Sequence, residues 1–344
     1  MHCMSAFSAA PPPKTVSAEA QAALRALPTT EPEDLARNRE MCARVQRELG
    51  EIQRTRHRVR MEEGAIAGVP VRLFAPSVNS ILPPGPVLLS LHGGGFIVDA
   101  GSVTENVPVA AYAKVPVVAP LYRLAPEYPF PAAVDDAEAV YRALLADHTP
   151  EEIALYGTSA GACLCAQLLV RLRDTGGPLP RALGFFTGTA DLSRIGDSEF
   201  FFRPADAGSS EQFSDYVRNH DRQSPQISPI FADLTGFPPT LCIAGTRDFM
   251  LSQTALFHRA LLRARVHAEI LIFEAMPHAH WIFLDLPESD QAFRAMARFF
   301  VDHLRLRSLR VGVGVGADSP LGQVCRITSF VGTLAALGLP PSKI

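Results

Sequence analysis

At 344 residues, with 47% hydrophobic residues and a formal net charge of -3, the chain can bury a large core as one large domain or two smaller ones. The near-neutral balance carries no basic run interleaved with aromatics, which excludes a nucleic-acid surface, and no apolar run reaches the length of a membrane span. Six cysteines without C-x-x-C or C-x-x-H spacing support neither a zinc site nor a disulfide framework, and Cys163 and Cys165 read as buried free thiols. Residues 1–13 lack the basic start and sustained apolar stretch of a secretory signal, so a soluble, intracellular protein with a cytoplasmic location is expected.

In chain order, residues 1–16 are small and Pro-rich and are expected to be mobile. Residues 17–55 turn helical, with Leu24, Leu27, Leu35, Met41, Val45 and Leu49 spaced among many charges. Glu31-Pro32-Glu33-Asp34 marks the start of the second of two helices. Residues 56–61 and 69–74 flank a Gly-containing turn and read as a β-hairpin, and 86–91 is a continuous apolar run, as in a strand buried on both faces. Then the pattern alternates: helix over 105–114, strand over 115–121, helix over 132–147, strand over 153–156, helix over 162–173 and strand over 182–186. Strands at 240–244 and 267–273 enclose a helix near 253–263, and 287–304 closes with a helix. Strands alternating with helices imply crossover units and a mainly parallel sheet covered on both sides, an α/β fold with antiparallel edge strands from the hairpin.

The alternation breaks over 190–237, which holds Asp191-Leu192-Ser193, a Gly208-Ser209-Ser210 turn and many aromatics. A segment of that size is a lid or disordered, and its aromatics argue against disorder. After Arg307 the composition shifts: residues 311–316 repeat Val-Gly, and 327–339 is apolar but too short and Gly-broken to span a membrane. The terminal Ser342-Lys343-Ile344 approximates the Ser-Lys-Leu peroxisomal address, which keeps a peroxisomal alternative open.

The chemistry centres on Gly157-Thr158-Ser159-Ala160-Gly161, which follows an apolar strand and precedes a helix, the context a nucleophilic serine needs. Taken alone this motif also fits an ordinary Gly-rich turn. Upstream, His92-Gly93-Gly94-Gly95-Phe96 follows directly on the buried run; at this composition His-Gly-Gly-Gly arises by accident in about one chain in three hundred. Three glycines leave the backbone free to aim consecutive N–H groups at one point, as stabilising a tetrahedral oxyanion requires, alongside the N–H of Ala160. His92 reads as a structural residue of that loop. A serine nucleophile needs a base and an acid to orient it, each just beyond a strand end and in the order Ser, acid, His. Asp248, in Gly245-Thr246-Arg247-Asp248-Phe249, fits the acid, although a helix N-cap would also suit it. His278 and His280, in Met276-Pro277-His278-Ala279-His280-Trp281, supply the base, with the other one packing or lining the acyl pocket; no Cys or carboxylate cluster joins them to suggest a metal.

Together these residues resemble the hormone-sensitive-lipase family of α/β-hydrolase esterases, over about residues 86–304. His92-Gly93-Gly94-Gly95-Phe96 is that family's hallmark, and Tyr122-Arg123-Leu124-Ala125-Pro126-Glu127, with Pro129-Phe130-Pro131-Ala132-Ala133 and Asp135-Asp136, is similarly typical and reads as scaffold. Thr158 departs from the family's common Gly-Asp-Ser-Ala-Gly, which leaves the serine intact and bears on substrate preference. The family's Gly-Met-x-His frame falls on Ala275-Met276-Pro277-His278 and makes His278 the base.

The resemblance implies an α/β-hydrolase fold in three parts: an N-terminal helical cap over 1–55, a catalytic domain over 56–307 with 190–237 as a possible lid, and a tail over 308–344. The expected activity is hydrolysis of short-to-medium acyl esters or lactones. Ser159, His278 and Asp248 form the triad, Gly93, Gly94 and Ala160 the oxyanion hole, and no metal or organic cofactor takes part. An amidase or deacetylase would use the same triad. A small-ligand receptor on the same fold would lack the catalytic histidine, whereas His278 is present.

Overall fold

The computed structural model describes residues 11–27, 34–76, 82, 84–202 and 213–304. Glu31-Pro32-Glu33, the Gly208-Ser209-Ser210 turn, and the whole 308–344 tail with its Val-Gly repeat, apolar 327–339 stretch and Ser342-Lys343-Ile344 terminus lie outside the described residues.

One eight-stranded sheet organises the molecule. Its strands are β1 (Arg60–Ile66), β2 (Val69–Ala75), β3 (Val87–Leu91), β4 (Val117–Pro120), β5 (Ile153–Thr158), β6 (Ala182–Phe186), β7 (Thr240–Arg247) and β8 (Ala268–Pro277), in the spatial order β1-β2-β4-β3-β5-β6-β7-β8. The β1–β2 and β2–β4 pairs are antiparallel; from β4 to β8 every pair is parallel. Alternation along each strand feeds two cores. Val87, Leu89, Leu91, Ile153 and Leu155 face one side, while Leu88, Ala154, Tyr156 and Phe186 face the other. Helices α4 (Ala132–Leu144), α5 (Ala160–Asp174) and α8 (Leu251–Arg263) cover the first face; α3 (Asn106–Ala113) and α10 (Pro287–Leu304) cover the second. The connections leaving β3 and β5 diverge, so the crevice beyond their carboxyl ends is where such a sheet gathers functional loops.

One expectation about the N-terminal region needs correction. The first strand starts at Arg60, not near residue 56, because α2 (Leu35–His57) runs on until Arg58 takes a left-handed conformation (φ 54°). The hairpin turn is Ala67-Gly68, both at positive φ (50° and 80°), as a tight two-residue turn between twisted strands requires. Residues 11–16 lead into packed structure: Val16 is buried beside Ala20 and Leu24 of α1 (Ala18–Ala26), and Ser17 caps that helix through Ala20 N at 3.0 Å. Cys163 and Cys165 are buried free thiols, as expected.

Among its described residues, the 190–237 region contains two short α-helices, α6 (Asp197–Phe202) and α7 (Ser214–Val217), and a 3-10 turn at Pro229–Phe231. Tyr216 of α7 is buried, stacks on Phe96 with ring centroids 3.7 Å apart, and donates its hydroxyl to Gln167 Oε1 at 2.7 Å. This region therefore packs against the Gly-rich loop. Among the described residues, no helix is long and apolar enough to cross a membrane.

Candidate active site

Ser159 sits between the end of β5 and the start of α5 at φ 59°, ψ −120°, a conformation an L-residue holds only when its surroundings impose it. Its N–H donates to Phe186 O at 2.9 Å, and its carbonyl accepts from Ala162 N at 3.1 Å. The turn can be this sharp because Gly161 has no side chain: a Cβ there would lie 1.9 Å from Leu91 O, at the end of the neighbouring strand. The helix start is thus pressed against β3, and Ser159 is left half-buried with its hydroxyl facing the crevice.

The structure brings the three widely spaced side chains together. His278, one residue past β8, places Nε2 2.9 Å from Ser159 Oγ and Nδ1 2.8 Å from Asp248 Oδ1. The carboxylate can only accept at Nδ1, which assigns the proton there and leaves the Nε2 lone pair toward the serine hydroxyl. Asp248 is fully buried just past β7 and also accepts from Met250 N at 2.8 Å. That one oxygen meets both the imidazole and a backbone N–H two residues on, whereas the N-cap of α8 is Met250, so Asp248 does not take the cap position that its sequence context also allowed. Sequence reasoning missed Thr187, whose Oγ1 lies 3.2 Å from His278 Nδ1, and the Phe249 ring, tilted against the imidazole at 4.3 Å. Neither carries a local signal: Thr187 follows β6 in a turn with φ 46° and no motif around it.

His280 goes elsewhere. Starting the short helix α9 (His280–Phe283), it is buried between Phe273 and Trp281 at centroid distances of 5.3 and 4.9 Å, and neither ring nitrogen has a hydrogen-bond partner. Burial pushes its pKa down to about 4, against an opposing pull from Glu288, and so keeps the ring neutral.

The Gly-rich loop lies beside the serine. A Cβ on Gly93 would come within 3.4 Å of Ser159 Cβ. Gly94 has φ +112°, and a side chain there would meet Val98 O at 2.1 Å, so this turn admits only glycine. Gly94 O accepts from Ile97 N and Val98 N, and Gly93 O from Ala100 N, closing the turn. Ala160 opens α5, where helical N–H groups lack partners within the helix. His92 packs as a structural residue. Its ring stacks on Tyr122 at 4.1 Å, its Nδ1 is 2.8 Å from Gly93 O, and Tyr122 Oη donates to His92 O at 2.7 Å.

Around this loop runs a polar network that no motif announced. Gln46 of α2 donates to Asp99 O at 2.8 Å and accepts from Val103 N at 2.7 Å. Arg72 of β2 donates to Asp99 Oδ2 at 2.8 Å, and Ser102 Oγ donates to the same oxygen at 2.6 Å. Enclosure works to raise the Asp99 carboxyl, but the His92 ring, Arg72 and Ser102 together hold it below the usual carboxylate range. Farther along α2, Arg39 donates to Ile97 O (2.8 Å), to Ala125 O (3.1 Å) and in bidentate fashion to Glu127 (2.7 and 2.8 Å).

Comparison with known proteins agrees with this architecture. A family described as having the alpha/beta hydrolase fold matches residues 88–282. The chain is 34% identical over 226 residues to an acetyl-hydrolase of Streptomyces hygroscopicus, covering 62% of this chain and 75% of that protein. It is 30% identical over 246 residues to the carboxylesterase NlhH of Mycobacterium tuberculosis, covering 66% and 76%. Among solved structures, an esterase at 30% identity superposes with a TM-score of 0.74, covering 87% of this chain and 98% of that one. An esterase from the bacterial hormone-sensitive lipase family, 28% identical, superposes with a TM-score of 0.69 over 80% and 93%. The chain belongs to the α/β-hydrolase fold family, in its hormone-sensitive-lipase-like group of esterases.

Proposed function

We propose that the chain is a carboxylic-ester hydrolase acting on short-to-medium acyl esters or lactones through Ser159, His278 and Asp248. The reading is carried by the continuous path from Ser159 Oγ through His278 Nε2 and Nδ1 to Asp248 Oδ1, with links of 2.9 and 2.8 Å. His278 removes the Ser159 proton as the oxygen attacks the ester carbonyl, and Asp248 stabilises the imidazolium that forms. The negative charge that develops on the carbonyl oxygen is met by the N–H groups of Gly93, Gly94 and Ala160. His278 then protonates the departing alcohol, leaving an acyl-Ser159. A water molecule, deprotonated by the same imidazole, releases the acid and regenerates the serine. No step draws on a metal or an organic cofactor.

Preference for short acyl groups is supported by the likeness to an acetyl-hydrolase, and ester hydrolysis by the likeness to a carboxylesterase. The test combines labelling by a fluorophosphonate with turnover of p-nitrophenyl esters of rising chain length and of a matched anilide. Ser159 is expected to label, turnover to be highest on the shorter esters, and the anilide to be poor. No label on Ser159 and no ester turnover would overturn the reading; anilide turnover above ester turnover would replace the ester by an amide.

A further inference from the structure

The mechanism leaves one buried ionisable group unused. Glu105 stands just ahead of α3, fully buried, and its N–H is fixed to Gly101 O at 3.0 Å. Its Oε1 accepts two hydrogen bonds from opposite sides of the site. One comes from the Thr158 hydroxyl, on the residue preceding the nucleophile; the other comes from Trp281 Nε1 at 3.0 Å, on the loop that carries His278. Its Oε2 is buried with no partner. Burial pushes the carboxyl up to about 7 against both hydrogen bonds.

Neighbouring contacts make this a joint, not an isolated pair. Asn106, the next residue, accepts from Tyr156 Oη of β5 at 2.6 Å and donates to Ser102 O at 2.9 Å. Gly101 leaves room for the histidine-bearing segment to close over it, since a Cβ there would lie 2.7 Å from Ile282 Cδ1. The Trp281 ring also meets Phe186 edge-to-face at 6.3 Å. Two short segments that are distant in sequence, the serine turn and the histidine loop, therefore share one buried oxygen.

We propose that Glu105 is a positioning residue for the hydrolysis, its single carboxyl oxygen tying the serine turn to the histidine loop and so setting the approach of His278 to Ser159. The inference rests on the ester-hydrolase reading above. A buried carboxyl with one oxygen unpaired is costly to keep for packing alone, whereas a bridge that fixes two reacting groups repays that cost in orientation.

The test is p-nitrophenyl acetate kinetics on the full chain, read as kcat and KM separately, with folding followed by thermal melting. Glu105→Ala is expected to lower kcat by about 10- to 100-fold with KM changed only about twofold, and Glu105→Gln, which keeps an acceptor oxygen, to restore kcat to within about threefold of the parent. Thr158→Val and Trp281→Phe each remove one end of the bridge, so each should lower kcat and the double variant should be no worse than the poorer single one. That cycle decides the matter even where Glu105→Ala fails to fold. A folded Glu105→Ala protein with parental kcat, a Gln variant as slow as the Ala variant, or losses that add in the double variant would each overturn the positioning role. Absence of turnover by the parent protein would overturn the hydrolase reading and this inference together, whereas parental activity with indifferent variants overturns this inference alone.

Discussion

Two loops face Ser159, and they are held in different ways. The histidine loop is held from within: His278, His280 and Trp281 are all buried, and the groups that anchor them, Asp248 and Glu105, are buried too. The Gly-rich loop, whose His92 and Phe96 stack on buried Tyr122 and Tyr216, is braced in addition by polar side chains of α2 and β2. Arg39 and Gln46 reach backbone carbonyls and Arg72 reaches Asp99, with both arginines partly open to solvent. Burial makes the first loop sensitive to protons, since a buried ionisable group must change charge at a cost. A hydrogen-bonded brace near the surface makes the second sensitive to salt and to loss of single donors.

The strongest break in this comparison comes from the two histidines of the inner loop. His278→Ala should lower kcat by about 10⁴- to 10⁶-fold without a matching fall in melting temperature, because its Nε2 lies 2.9 Å from Ser159 Oγ, the proposed nucleophile. His280→Leu should leave kcat within a few-fold of the parent, because its ring is packed between Phe273 and Trp281. If activity instead followed the second substitution, the geometry at Ser159 would not be the one that turns over. On the outer loop, Gly94→Ala places a methyl 2.1 Å from Val98 O at φ +112°. Its expected loss is about 10²- to 10³-fold in kcat if the proposed oxyanion donor is displaced, measurable with the same ester substrate.

A pH series of unfolding measurements sharpens the contrast further. His280 has a folded pKa of about 4 against an ordinary 6.5, with Glu288 the charged group facing it. Its contribution is fully present above pH 6.5 and is lost as pH falls from 6.5 toward 4, about 3 kcal/mol in all, because the unfolded chain takes up a proton the native ring refuses. Glu105 behaves in the opposite sense. Its folded pKa is about 7 against an ordinary 4.5, with Tyr156 and Cys165 the titratable groups it faces. That contribution is present below pH 4.5 and is lost as pH rises from 4.5 through 7, again by about 3 kcal/mol. His280→Leu should therefore flatten the acid limb of stability, and Glu105→Gln the neutral limb. Unchanged limbs in both variants would show that burial is not what governs the inner loop.

How much of this could be read from the chain depended on distance along it. Gly-x-Ser-x-Gly and His-Gly-Gly-Gly state backbone requirements within five residues, and both are met at positions where a Cβ would collide. Asp248 and His278 were legible through their order after strands. Glu105 was not, because its partners lie 53 and 176 residues away and nothing around it marks it as more than a helix start. The face of α2 was misleading for a related reason. The apolar spacing of Met41, Val45 and Leu49 is real, yet the residues the helix buries are Asn38, Cys42, Gln46, Gly50 and Gln53. Met41, Val45 and Leu49 are only half-buried, and α2 docks chiefly by hydrogen bonds with Gly50 fitting closely under Val103, so its apolar stripe does not mark the buried face.

The smallest expected effect isolates that docking. Arg39→Ala removes two hydrogen bonds to the carbonyls of Ile97 and Ala125 as well as the ion pair with Glu127, whereas Glu127→Ala removes the ion pair alone. The carbonyls then lose a charged donor close to the Gly-rich turn, so Arg39→Ala should cost about 1–2 kcal/mol of stability and a few-fold in kcat. Glu127→Ala should cost less than Arg39→Ala on both counts, since its carboxylate is half exposed, and added salt should erase most of the difference between it and the parent. Urea unfolding of the three proteins at low and high salt reads both effects at once. Equal losses for the two substitutions would mean that α2 is held to the site by the ion pair and not by its grip on the loop backbone.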